Sequence, residues 1–248
     1  MLRPRNVIVG ALLGVIVIAA AAVAGWWFFV REDAQLATSA PAIPSDLART
    51  PASAATTPGA AATPTSGGGL VYKIIPERSE AAYFADEKLA ALPLPSKAKG
   101  TTKDIEGQFV LTANGTSFDA SQAATFTVNL KTLKSDKEMR DARVQNQGLQ
   151  TSQFPTATFK ATSVTGYDPS IAAGEEQTLK LTGIMDLHGV QKEITWDVKA
   201  RKDGDVITAL ATVTFPFEDF GIAVLNIGGF VTVQDHITLQ VQVVAQAG

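Results

Sequence analysis

TLKLTGIMDLHGVQKEITWDVK, the run from Thr178 to Lys199, holds two strand patterns and the turn that joins them. Leu179, Leu181, Gly183, Met185 and Leu187 share one face at period two, and Lys180, Thr182, Ile184 and Asp186 share the other. After His188-Gly189 the alternation restarts, with Ile194, Trp196 and Val198 set against Glu193, Thr195, Asp197 and Lys199. The chain therefore reverses at Gly189, the residue that accepts a positive φ without steric cost, and the run reads as a β-hairpin. A hairpin cannot bury its apolar face alone, so other strands must supply a second wall or close the sheet.

Those strands are present. Short alternating runs at Val71–Ile75, Ser79–Phe84, Ile105–Thr112, Ala123–Leu130, Ala157–Val164, Val206–Phe215 and Phe230–Val244 flank the hairpin, with Asn114-Gly115 and Asp203-Gly204 as turn signals. One face of each run is dry and one is wet, which predicts an all-β protein: an antiparallel barrel or sandwich. Between Lys131 and Pro155 the alternation stops. Ser135 followed by Glu138 reads as a capping box, so a short helix is expected over 136–147, ended by Gly148. Its apolar stripe, Met139, Ala142 and Val144, is too narrow for a core helix, and it is expected to cover a barrel end.

The 248-residue chain has a formal charge of -3 and no cysteine. The charge leaves no basic excess for a nucleic-acid groove, and the composition excludes disulfides, thiolate nucleophiles and sulfur-ligated metals. His188 and His236 stand in no HxH or HExxH spacing and no GxSxG elbow is present, so no metal, no cofactor and no catalytic residue is expected. From Val7 to Val30 the chain is apolar and uncharged over roughly 24 residues, enough to cross a bilayer as a helix. Arg3 and Arg5 precede this run, and Glu32 and Asp33 follow Arg31 closely. The charge bias predicts a single-pass anchor, residues 1–30, with a cytoplasmic N-terminus and everything else outside the membrane. A cleaved signal peptide ending at Ala22-Val23-Ala24 is the competing reading, and it exports the same domain. Residues 31–69, rich in Ala, Thr, Ser, Pro and Gly, read as a flexible linker, and 70–248 as the folded domain.

Four elements occur in order along that domain: SEAAY at Ser79, Ala81 and Tyr83; MRDARVQNQGLQTSQFPTATF with Arg140-Asp141, Leu149, Phe154-Pro155 and Phe159; LTGIMDLHGVQKEI; and FEDFGI from Phe217 to Ile222. In this the chain resembles the YceI-like family from Leu70 to about Ala245. The resemblance implies an extended antiparallel β-barrel of about eight strands, lipocalin-like in shape. Its lumen would hold a long apolar chain, a polyisoprenoid, fatty acid or related amide, without covalent chemistry, in a protein of the periplasm or cell surface. Tyr83 stands where the family commonly has Phe, and an insert between Phe84 and Ile105 leaves the shape of one barrel rim open.

Phe109, Phe126, Val128, Phe159, Met185, Trp196 and Phe215 project from the dry faces of different strands and are the candidate lumen wall. Ala124, Ala161, Gly183, Ala209 and Ala211 are small residues on the same faces. Pattern alone favours a filled core; the resemblance favours a tunnel. Met139, Arg140, Arg143, Phe154 and Phe220 are the candidate mouth, where an arginine would meet a polar ligand head. The function expected is therefore membrane-tethered, extracytoplasmic binding of an isoprenoid or acyl lipid, with a homodimer left open. The alternative is a non-enzymatic envelope interaction module with a filled barrel.

Overall fold

The computed structural model describes residues 34–48, 69–89, 92–112, 115, 117–122, 124–224, 226–227 and 231–248, with backbone only for 88, 89, 92–95, 226, 227 and 231. The apolar run Val7–Val30 and the linker stretch 49–68 lie outside these residues. Among the described residues no helix is long and apolar enough to cross a membrane.

Twelve strands form one sheet: β1 (Leu70–Ile74), β2 (Glu80–Leu89), β3 (Leu92–Thr102), β4 (Ile105–Leu111), β5 (Thr125–Asn129), β6 (Lys134–Ser135), β7 (Thr156–Thr165), β8 (Glu176–Leu187), β9 (Val190–Asp203), β10 (Val206–Phe215), β11 (Asn226–Ile227) and β12 (Val231–Ala247). Eight of them, in the order β1-β4-β5-β7-β8-β9-β10-β12, close into an antiparallel barrel through the pairs Tyr72↔Ala247 and Ile74↔Ala245. Closure removes the free edges that a hairpin stack would expose. β12 is long enough to take two partners along one edge, β1 at its C-terminal end and β2 from Val231 to Gln242, with a register shift between Val233 and Ile237.

The β8–β9 hairpin has the expected register, Leu181 opposite Trp196 and Leu187 opposite Val190. Its two-residue turn has positive φ at both central positions, 55° at His188 and 76° at Gly189. That is the primed-turn geometry whose twist matches the flanking strands, so the reversal uses His188 as well as the glycine.

The insert after Phe84, which left the shape of one rim open, is strand: β2 runs on to Leu89, and β3 returns beside it from Leu89↔Leu92 to Ala81↔Thr102. Pro93 and Pro95 break the alternation, and they are tolerated because β3 borders only the two-residue β6 on its far side, where a missing N–H costs no ladder bond. The helix is shorter than 136–147. α1 spans Glu138–Arg143 and passes into a wider helical turn over Val144–Gly148. Lys137, not Ser135, holds the N-cap position, without a side-chain cap bond; Ser135 pairs instead with Asp141, which accepts from both Ser135 N–H at 2.8 Å and Ser135 Oγ at 2.6 Å. Just before the helix, Asp136 ion-pairs with Arg140. The Asn114-Gly115 turn lies partly outside the described residues; Phe118 bridges Leu111 beyond it.

Residues 35–48, expected as linker, lie along the outer wall, and Gln35–Gly248 form one compact unit. No apolar periodicity marks this segment because side chains of the barrel hold its backbone. Gln240 bonds the Ala37 peptide on both sides at 2.9 Å, and Thr208 Oγ1 donates to Pro41 O at 2.6 Å.

Candidate functional site: an apolar lumen

The inward faces of the strands enclose a cavity of about 320 Å³. Phe109, Phe126, Val128, Phe159, Met185, Trp196 and Phe215 all line it. Their arrangement follows from register. Phe126 lies opposite Phe159 across β5 and β7, and Phe159 opposite Met185 across β7 and β8. The rings form a run around the wall: Tyr72 stacks on Phe109 at 5.3 Å, Phe109 lies 6.3 Å from Phe126, and Phe126 lies 6.4 Å from Phe159. Phe159 then meets Trp196 edge-on at 5.9 Å, although β8 separates their strands. Gly183 makes that contact possible: a Cβ there would stand 2.7 Å from the Phe159 ring and 2.2 Å from Lys160 O. Of the other small residues, Ala209 and Ala211 face the cavity, whereas Ala124 and Ala161 are buried in the surrounding core.

The α1 end of the cavity is closed by Leu130, Leu133, Val144 and Leu149, with Arg140 and Arg143 reaching its edge. Arg140 forks onto Glu87, Nε to Oε1 at 3.2 Å and Nη2 to Oε2 at 3.3 Å, and Ser96 Oγ also donates to that carboxylate at 3.3 Å. Burial works against the Arg140 cation, but the pull of Glu87 and Asp136 outweighs it and leaves its pKa above the ordinary arginine value. The opposite end is polar as well, with Gln177, Arg201 and Lys202 at the cavity's edge and Tyr167 Oη donating to Gly115 O at 3.0 Å.

Three residues expected at the mouth do not line the cavity. Met139 is 69% exposed on the outer side of α1. Phe154 packs against the His188 ring at 4.5 Å, and Phe220 is buried behind the wall, edge-on to Phe215 at 4.8 Å. In each case the local backbone turns the side chain away: α1 is a single short helix with one inner face, and Phe220 ends a 3-10 turn, Phe217–Phe220, that folds back under β10. Sequence reading missed Glu87, Leu130, Leu133 and Val144 as lining residues. Glu87 was hidden because it belongs to the extension of β2, and Leu133 because it lies past the alternating runs; Leu130 closed the run Ala123–Leu130 but was not taken as wall.

Three buried donors of the described cavity lining have no protein acceptor: Tyr83 Oη, Trp196 Nε1 and, at the polar edge, Arg201 Nε. Tyr83 is only 8% exposed, and burial, with smaller contributions from the nearby charges, pushes its pKa up to about 12.

With the lumen established, the sequence comparison has a structural counterpart. The model of the YceI-like domain matches residues 72–245, from the third residue of β1 nearly to the end of β12. The chain belongs to the YceI-like family. Protein YceI of Salmonella arizonae and that of Salmonella paratyphi B are each 31% identical to it over 107 residues, 43% of this chain and 50% of the relative. The match thus spans about half the length of these curated relatives. A polyisoprenoid binding domain from Saccharophagus degradans superposes with a TM-score of 0.54 at 15% identity, over 72% of this chain and 99% of its own. BcnA of Burkholderia cenocepacia gives 0.52 at 15% identity, over 70% and 99%. At such identity these two neighbours show the shared fold, and no more.

Proposed function

We propose that this YceI-like protein is a membrane-tethered, extracytoplasmic carrier that shields an isoprenoid or acyl lipid inside its barrel. The observation that carries the reading is the continuous apolar lumen of about 320 Å³, walled by aromatic and aliphatic side chains from nearly every strand. Burial of a hydrocarbon chain supplies the affinity, at about 0.8 kcal/mol per CH₂. No bond need be made or broken. Tyr83 Oη and Trp196 Nε1 offer donors to an oxygen on the ligand, and the polar edge at Arg140 and Arg143 suits a headgroup. The name of the Saccharophagus degradans neighbour supports the ligand class. The uncharged run Val7–Val30, with arginines before it and acidic residues after it, supports the tether and the outward orientation.

Native mass spectrometry and solvent extraction of residues 35–248, expressed in a bacterial host, test the binding. A host lipid is expected to accompany the domain. Phe126→Trp, which enlarges a lumen-facing ring, is expected to reduce uptake of an isoprenoid or fatty-acyl probe with little loss of stability. A domain that carries no lipid and takes up neither probe would refute the carrier reading and favour an envelope interaction module.

A further inference from the structure

Of the chain's two histidines, His236 is exposed on β12, whereas His188 is packed into the β8–β9 turn. Its backbone has a positive φ of 55°, a conformation that a residue other than glycine holds only where its surroundings enforce it. Two contacts do so. On one side the Phe154 ring lies 4.5 Å from the imidazole, and so close to the turn that a Cβ at Gly189 would stand 2.7 Å from it. On the other side Nδ1 lies 3.3 Å from the backbone oxygen of Phe220. A carbonyl only accepts, so Nδ1 carries the proton and Nε2 is the bare nitrogen of a neutral ring. Nε2 is buried and has no hydrogen-bond partner among the described residues.

His188 thereby joins three pieces of chain that close the lumen. The β8–β9 hairpin contributes Leu187, next to the histidine, to the cavity wall. The 3-10 turn that ends at Phe220 contributes Phe217, with Ile222 and Ala223 just after it. The loop 149–155 starts at Leu149, which lines the cavity, and ends at Pro155, whose oxygen accepts from Leu130 N–H at 2.9 Å. The charged groups on these pieces are Asp186, Lys192 and Glu193 on the hairpin and Glu218 and Asp219 on the turn; the loop has none. Lys192 and Asp219 pair with each other, Asp186 accepts from Gln191 at 3.0 Å, and none of these carboxylates meets Nε2.

We infer that His188 is a proton-operated latch on the lumen, closed while the ring is neutral and released in acid. This rests on the carrier reading above, to which it adds a control of ligand exchange. Protonation gives Nε2 a hydrogen that the buried site leaves without an acceptor, and a charge that it leaves without a partner; both are costly. Moving the 3-10 turn or Phe154 aside brings Nε2 to water. The open form therefore takes up the proton and the closed form excludes it. The latch is shut at the upper end of the range over which histidine changes charge, about pH 5 to 8, and gives way toward the lower end. The same proton loosens the wall, and the lipid exchanges faster.

Two measurements on the full chain test the latch separately from the carrier reading. The first is transfer of a pyrene-labelled fatty-acid methyl ester, which has no titrating group, from the loaded protein to phosphatidylcholine vesicles. Transfer is expected to be several-fold faster at about pH 5 than at about pH 7.5. His188→Asn has a short side chain that tolerates a positive φ but neither packs on Phe154 nor titrates, and it is expected to transfer fast at both. His236→Gln is expected to keep the parent's dependence. The second measurement is amide exchange at Gly221 and Ile222, whose N–H groups bond Glu218 O and Phe217 O. Their protection, relative to the unstructured rate at each pH, is expected to fall several-fold over the same interval in the parent and not in His188→Asn. A protein that takes up no probe at either pH refutes the carrier reading, while amide exchange still decides the latch. If protection or measured transfer in the parent is flat with pH, or changes as much in His188→Asn, the latch is refuted.

Discussion

Tyr83 concentrates the tension between folding and binding in one hydroxyl. Its ring packs in the main core and its Oη is buried without a partner. The raised pKa has a defined sign for stability. Between about pH 10, where an unfolded tyrosine loses its proton, and about 12, the folded pKa, the native state holds a proton that the unfolded state has released. Stability is therefore complete below pH 10 and declines as pH rises through that window. Tyr83→Phe is expected to reduce the decline, and to leave stability at pH 7 within about 1 kcal/mol of the parent, since it removes an unsatisfied group rather than a bond. Denaturant melts across pH 7 to 11.5 check this; an unchanged slope, or a loss well beyond that at pH 7, would show that the hydroxyl is satisfied in solution. Residue types of this kind were partly legible beforehand. The inward rings followed from period-two alternation, which the sheet obeys. The orphan donors did not, because whether a phenol finds an acceptor depends on strands far apart in sequence.

At the scale of elements, the long alternating strands were readable and the irregular ones were not. β8, β9 and β10 follow the sequence pattern almost to the residue, since each has one face in the core and one in solvent. β3 has prolines and no alternation, and it exists because β2 offers it an edge. The polar start of the helix was legible, but the capping box read from Ser135 and Glu138 does not form: Lys137 is the N-cap and Ser135 pairs with Asp141. Ser135→Ala removes that Oγ contact and the one to Lys137 N–H at 3.2 Å. It is expected to cost the α1 segment about 1 kcal/mol. The measurement is amide exchange: protection should fall at Arg140 and Asp141, whose N–H groups bond Lys137 O, while β8 and β9 stay protected. Loss of protection throughout the barrel would mean that α1 is part of the global fold rather than a cover on one end.

For the molecule as a whole, eight strands close only because β12 meets both β10 and β1. Deleting residues 243–248 removes every β1–β12 pair and four of the ten β10–β12 pairs. The truncated domain is expected to lose its cooperative melt by near-UV circular dichroism, because an open sheet leaves the apolar wall wet. A retained sharp transition would show that β2 alone can seal β12. Closure as such was legible, since half-buried antiparallel strands must hide their edges, but the sequence could not reveal that one strand would be shared between two neighbours.

That shared strand also puts the last barrel strand in charge of a segment far before it. Gln240 holds Ala37 across 203 residues of sequence, and β12 follows every other described strand in chain order. During synthesis the hairpin of β8 and β9 can pair as soon as it appears, but β1 and β10 wait as open edges until β12 exists. Such non-local closure is slow, on the order of milliseconds to seconds, and open strand edges invite pairing with other chains. The barrel's finished order is thus bought with a vulnerable interval, which ends when its last strand arrives.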